Sequence, residues 1–387
     1  MEKICRRISE IGTVVGGGTP STKNPDYWGG DIPWISPKDL TDYKSVYISK
    51  GENFLTEKGL KSGTRLLPKN TLLFSSRAPI GYVALAANPI CTNQGFKSIV
   101  CDEKQVVPLY LYYYMKANLD YIKLFGTGAT FPEISGKTMG KIKVEIFKSL
   151  DVQHRIASIL STYDSLIENN TKRIRLLEKM AENLYKEWFV RFRFPGHENV
   201  EMENGLPKGW KRGSLSDVCE FKRGKNITSS EMQEGNVPVI SAGLEPSGYH
   251  SCSNVRGVNV TMSSSGANAG YIAIHYSDIW AADCSYIEES TTGNIYYVYE
   301  LLNNIRTIIN NFQRGAAQPH VYPKDVNRIK LILPSENLMQ KANGRLEIMH
   351  KEIYNLQKQN SLLARQRDLL LPRLRSGKLE VKEELLE

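Results

Sequence analysis

Four stretches of the chain concentrate side chains that can hydrogen-bond to a polyanion. Gly16–Pro25 reads GGGTPSTKNP, Ser75–Pro79 reads SSRAP, Thr92–Lys97 reads TNQGFK, and Gly126–Lys137 reads GTGATFPEISGK. Serine, threonine, asparagine, glutamine, lysine and arginine bond phosphate oxygens and base edges, and glycine lets backbone N–H groups approach phosphate. Each loop alone is ordinary turn chemistry; as a set on a basic segment they suit nucleic acid. The net charge is +9, and residues 1–148 carry 20 Lys and Arg against 13 Asp and Glu, whereas residues 198–334 carry 12 against 14. A basic first segment fits a polyanionic partner. The candidate contacts are Lys23, Arg77, Asn93, Gln94 and Lys137 in the first half, and Lys225, Ser265, Asn268, Gln318 and His320 in the second. Arg and Lys prefer guanine, Asn and Gln prefer adenine, and a good pair is worth roughly 1–3 kcal/mol of discrimination.

Other chemistry finds no support in the residues. SGKT at Ser135–Thr138 lacks the glycine that a phosphate loop needs at position 131, which is Phe131. FGTG at Phe125 follows a helical stretch rather than a strand, unlike a methyl-donor loop. There is no Asn-Pro-Pro-Tyr or HExxH motif, and the six histidines show no metal-ligand spacing. The six cysteines are scattered without a CxxC pair, the pattern of reduced thiols. No run of about 20 apolar residues spans a membrane, and the N-terminus lacks an apolar signal core. We therefore expect a cytoplasmic chain with no catalytic residue, no metal and no cofactor of its own.

These loops sit inside an internal repeat. GGDIPWIS (Gly29–Ser36) returns as EGNVPVIS (Glu234–Ser241), LLFSSRAPIGYVAL (Leu72–Leu85) as VTMSSSGANAGYIAI (Val260–Ile274), and Phe125–Val144 as Phe312–Leu331. Three matches in one order indicate duplication. Each copy reads as short strands plus one apolar helical patch, and the stripe Tyr110, Tyr113, Tyr114 reads as helix core rather than a base-stacking platform. After each copy the period changes to that of a long charged helix, from Ser149 to about Arg193 and from Ser335 to about Leu371. Ser149 and Ser335 fit N-caps, and Pro195 and Pro372 fit stops. The expected fold is α+β: two globular mixed domains related by a pseudo-two-fold repeat, separated by two long antiparallel coiled-coil helices. The boundaries are 1–148, a spacer helix over 149–197, a linker and second domain over 198–334, and a second helix with a tail over 335–387.

Heptad steps define the seam. Ile156, Leu160, Tyr163, Ile167, Asn170, Ile174, Leu177, Ala181, Leu184 and Trp188 face, in reverse, Leu346, Met349, Ile353, Leu356, Asn360, Leu363, Arg367, Leu370 and Leu374. This register sets Asn170 opposite Asn360 and predicts a mutual amide hydrogen bond that fixes helix alignment. It also has Pro372 ending the helix before Leu374, Arg367 turning outward beside Tyr163, and WFVRF (Trp188–Phe192) serving a partner surface or the seam, with the partner favoured.

LYKEWFVRFRFPG (Leu184–Gly196), GLPKGWK (Gly205–Lys211) and GGTPSTKNPDYWGGDIPWISPKDL (Gly17–Leu40) resemble the specificity subunit of type I restriction-modification systems, over essentially the whole chain. The second repeat departs at its start, with RGKNITSSEMQEGNVPVIS. The resemblance implies two target-recognition domains, each reading half of a split, asymmetric double-stranded DNA site. It also implies helices that space these domains and dock two methyltransferase subunits, with two restriction/translocase subunits completing the complex. S-adenosylmethionine, ATP and Mg would then belong to the partner subunits. A self-contained DNA-modifying enzyme and a coiled-coil scaffold that binds only proteins stand as alternatives.

Overall fold

The computed structural model describes residues 2–379 except 129, 131 and 316–318. Two compact units emerge: Met1–Thr171 together with the chain from Gln359 onward, and Lys172–Lys358. Each long helix contributes one part to each unit.

The first unit is built on a five-stranded sheet in the order Gly12–Gly16, Lys97–Cys101, Leu72–Ser76, Ile80–Ala86, Tyr47–Ile48. Leu72–Ser76 is buried along its whole length, the pattern of a strand covered on both faces. A three-stranded sheet places Trp28–Ile35 between Asn53–Leu55 and Cys91–Thr92. Lys3–Arg7 pairs with Lys143–Phe147 and closes the unit. The helix Pro108–Ala117 packs Tyr110, Leu111, Tyr113 and Met115 into the same core as Phe74, Ile99 and Phe147. Its tyrosines are core residues, as the sequence indicates.

The second unit repeats this topology. Its larger sheet runs Lys222–Arg223, Cys284–Glu288, Asn259–Ser263, Ile272–His275. Its three-stranded sheet sets Val237–Ile240 between Gly248–His250 and Trp280–Ala281. Lys211–Ser214 pairs with Lys330–Leu333. The pair Tyr47–Ile48, an edge strand of the first unit, has no counterpart among the described strands of the second.

The echoed octapeptides occupy one position in this scheme. Pro33 pairs antiparallel with Phe54 while Trp34 and Ile35 pair parallel with Cys91 and Thr92. Pro238 pairs antiparallel with Tyr249 while Val239 and Ile240 pair parallel with Trp280 and Ala281. Their glycine is required by close approach: a Cβ on Gly30 would lie 2.4 Å from Leu55 O, and one on Gly235 would lie 2.3 Å from His250 O.

A tryptophan anchors each sheet from opposite sides of the parallel pair. Trp34 Nε1 donates to Gly18 O at 2.9 Å in the first unit, and Trp280 Nε1 donates to Lys225 O at 2.9 Å in the second. Gly18 N and Lys225 N themselves donate to the equivalent carbonyls Thr92 O and Ala281 O, at 2.8 and 2.9 Å. The ring thus comes from the central strand in one unit and from its parallel neighbour in the other.

The long helices run Leu150–Tyr185, with a π-turn to Val190, and Glu336–Ser376. None of the predicted seam residues is exposed. In the first unit Ile156, Leu160 and Leu374 join the core, with Leu370 against it. In the second, Ala181 and Leu346 do so, with Leu184 and Met349 against it. Full burial of a leucine or isoleucine, as at Ile156, Leu160, Leu346 and Leu374, stabilises by about 1.5–3 kcal/mol. Contacts Asp164 with Arg367 and Asn170 with Gln359 in the first unit, and Arg173 with Glu352 in the second, run in opposite chain directions, which makes the packing antiparallel.

Four local expectations are corrected. Asn170 and Asn360 do not bond each other. Asn170 Nδ2 donates to Gln359 Oε1 and Asn360 Nδ2 to Thr171 Oγ1, both at 3.4 Å, and Asn360 Oδ1 is buried without a partner. The pairing is staggered by one residue, so each amide meets the neighbour of its expected partner. Pro372 lies inside the helix rather than ending it, because burial of Leu374 in the first core holds the last turn. Proline there forfeits one terminal backbone hydrogen bond. Arg367 turns inward, where Asp164 needs a cation. Trp188 and Phe189 are buried in the second unit's own core: Arg345 lies over Trp188 and Phe189 meets Tyr297 edge-on at 4.9 Å.

Candidate nucleic-acid interface

Backbone hydrogen bonds draw the four polar loops of the first unit together. Gly17 N donates to Phe96 O at 3.2 Å, Ser76 N to Gly95 O at 2.7 Å, and Ile134 N to Ser76 O at 3.0 Å. Thr127 and Glu133 exchange backbone bonds at 3.1 and 2.9 Å, closing the last loop. Gly17 is obligatory here, since a Cβ would stand 1.9 Å from Asn93 O. These backbone bonds join the loops, and Ser76 Oγ, which donates to Gly95 O at 3.0 Å, adds to them.

Those side chains form one cluster. Arg77 Nη1 donates to Glu133 Oε2 at 3.4 Å and Lys97 Nζ donates to Glu133 Oε1 at 3.0 Å. Lys97 Nζ also reaches Gln94 O at 3.3 Å, and Thr19 Oγ1 donates to Gln94 Oε1. The hydrogen bond from Lys97 is the main cause that holds the Glu133 carboxyl below its usual range, against a desolvation penalty and with help from Arg77. Asn93 spends its side-chain oxygen on Gly95 N at 2.8 Å. Of the five residues read from sequence, Arg77, Asn93 and Gln94 belong to this cluster. Lys23 is exposed on the turn before Pro25–Tyr27, and Lys137 is exposed on the helix Gly136–Lys141. SGKT is a capping turn: Ser135 Oγ accepts from Thr138 N at 3.1 Å.

The second unit assembles the same loops with different side chains. Gly224 N donates to Cys284 O at 2.8 Å, Val321 N to Ser264 O at 3.0 Å, and Gly266 N to Pro319 O at 3.0 Å. Arg314 and His320 exchange backbone bonds at 2.9 and 2.8 Å, as Thr127 and Glu133 do. His320 thus stands where the first unit has Glu133, and its ring stacks on Tyr322 with centroids 6.3 Å apart. Ser265 is buried and donates to Asp283 Oδ2 at 2.6 Å, and Arg223 lies 4.0 Å from Asp283. Lys225 is exposed beside this group, and Asn268 is half-buried in the turn Gly266–Asn268. Gln318 lies outside the described residues.

Glu133, Lys97, Thr19, Asp283 and Arg223 are the residues that the sequence reading did not select. Glu133 and Lys97 lie within the quoted loops, but a search for phosphate contacts passes over acids, and pairing across loops is visible only after folding.

The comparisons agree with this duplicated arrangement. The family model described as "Type I restriction modification DNA specificity domain" matches residues 3–179 and again 207–363. The chain is similar to the type I restriction enzyme MjaIX specificity subunit of Methanocaldococcus jannaschii, at 36% identity over 98% of this chain and 94% of that one. It is also similar to the EcoR124I/EcoR124II specificity subunit of Escherichia coli, at 31% identity over 50% of this chain and 49% of that one. Among solved structures, the type I restriction-modification S subunit from M. genitalium superposes with a TM-score of 0.68 at 20% identity, covering 99% of this chain and 97% of that one. A family match in both repeats, on two units of one topology, places this chain in the type I restriction-modification DNA specificity family.

Proposed function

We propose that the chain reads a bipartite double-stranded DNA target, one half per unit, and delivers partner subunits to it without catalysing a reaction itself. The observation that carries this reading is the pair of loop clusters. Their backbone bonds correspond at three places, while the positions held by Arg77, Gln94 and Glu133 in one unit carry Ser265, Asp283 and His320 in the other. Equal scaffolds with unequal hydrogen-bonding groups are what two readers of different base sequences require. The basic balance of the first segment supplies the phosphate attraction.

Two methyltransferase subunits dock on the helices in this reading. Each unit offers aliphatic side chains away from the seam: Leu166, Leu362 and Leu369 in the first, and Leu176, Met180 and Ile348 in the second, all exposed. Exposed aliphatic groups of this kind suit a protein partner. Two restriction subunits join them, and S-adenosylmethionine, ATP and Mg are bound by these partners. The test is an exchange of residues 1–148 for another family member's first domain, followed by mapping of methylated sites in cells. One half of the site should change and the other persist. Simultaneous change of both halves, or methylation by this chain alone, overturns the reading.

A further inference from the structure

We propose that Glu133 is a specificity-determining residue, and that with Arg77 it reads a single G·C base pair in the half-site of the first unit. This rests on the DNA-reading function above. The two groups are side by side at the centre of the loop cluster, 3.4 Å apart, with side chains 39% and 36% exposed. Lys97 is the third member and holds the other carboxylate oxygen, Oε1, but its side chain is only 16% exposed, so it anchors the carboxylate rather than meeting a base.

The pair is not needed to hold the fold. Backbone bonds already join the three loops, and a half-exposed ion pair adds little stability, at most about 1 kcal/mol. The second unit makes the same point. It keeps the loop frame yet has His320 at the position of Glu133, and its carboxylate, Asp283, comes from another loop. A carboxylate also repels phosphate, so on a DNA-facing surface it weakens general affinity and must act on something other than the backbone.

The chemistry selects the base pair. In the major groove a G·C pair presents two acceptors on guanine, N7 and O6, followed by the N4 amino donor of cytosine. An arginine beside a carboxylate presents two donors followed by an acceptor, which is the complement. An A·T pair alternates acceptor, donor, acceptor, and would need a second exposed cation beyond Glu133. Lys97 occupies that side but is mostly covered.

The experiment is selection from randomised duplex DNA by the native complex containing the full chain, wild type against Glu133→Gln and Arg77→Ala. Wild type should select a G·C pair at one position of one half-site. E133Q should lose preference at that position by about tenfold and bind non-cognate DNA more tightly, since a negative charge is gone. The other positions of that half-site, and the whole second half-site, should be unchanged in both variants, which also shows that the first unit folds. R77A should lose the same position while binding non-cognate DNA more weakly. A half-site without G·C, a uniform loss across all positions, or preference surviving E133Q overturns the assignment while leaving DNA reading intact. A wild-type complex that selects no sequence overturns the DNA-reading function itself, and this pairing with it.

Discussion

Replacing Arg367 by methionine should destabilise the first unit by about 3 kcal/mol. Asp164 is 8% exposed and accepts from both Arg367 and Tyr113 Oη, the latter at 2.5 Å, so it joins the helix pair to Pro108–Ala117. Removing one partner of a buried pair costs about 3–5 kcal/mol, because the remaining charge stays desolvated. The lower end applies since the Arg367 side chain is 18% exposed. Asp164→Leu alone should cost about 2 kcal/mol, as Arg367 keeps Asp368 at 2.8 Å. The double variant should also cost about 2 kcal/mol, mostly from the orphaned Tyr113 hydroxyl and imperfect packing. The coupling is then about 3 kcal/mol. Urea titration of the four proteins measures it, with amide exchange in Pro108–Ala117 reporting the first unit separately, since two compact units need not unfold in one step. A double variant costing the sum of the singles, with coupling under about 0.5 kcal/mol, would mean the pair behaves as an exposed one and would refute the argument.

Asn360→Leu should raise stability by about 1 kcal/mol, because it removes the unpartnered Oδ1 and adds apolar surface to the seam; a drop in urea midpoint counts against this. Burial lowers the His275 pKa from 6.5 to about 4. The unfolded chain therefore takes up this proton first, so the stability contribution is complete above pH 6.5 and is lost as pH falls toward 4. After discounting for partial exposure, wild type should lose about 1–2 kcal/mol more than His275→Gln between pH 7 and pH 5, and parallel pH profiles of urea midpoint would contradict the assignment. Gly17→Ala and Gly224→Ala should each destabilise by about 1–3 kcal/mol, since their Cβ atoms would stand 1.9 Å from Asn93 O and 2.5 Å from Ala282 O; thermal melts as high as wild type would show that the loops yield freely.

The repeat and the helix seam were legible because both rest on periodicity. A heptad pattern fixes which face is covered whatever lies beyond, and the heptad positions from Ile156 to Trp188 and from Leu346 to Leu374 all lie on the covered side. Local stop signals misled where tertiary burial competed with them: Pro372 yields to the core that holds Leu374. The asparagine pair failed by one residue, a stagger finer than a heptad list resolves. The loops were legible by composition, but their cross-loop partners were not. Glu133 meets Arg77 and Lys97 across 56 and 36 residues of chain, and no spacing rule links such positions. Aromatic WFVRF shows the same limit: its apolar content is plain, but only the fold says that Tyr297 and Arg345 cover it.

The tryptophan that reaches Gly18 O from one strand and Lys225 O from the neighbouring strand constrains the history of the duplication. At the paired positions the first unit has Trp34 with Cys91, and the second has Val239 with Trp280. The indole is thus supplied once per pair of positions, from either member. Passing between the two arrangements one substitution at a time requires an ancestor with either two indoles competing for one carbonyl or none serving it. The first state would crowd two rings beside one carbonyl and the second would leave that carbonyl without its indole donor. Grafting a single tryptophan between the copies would recreate that ancestor in the present chain.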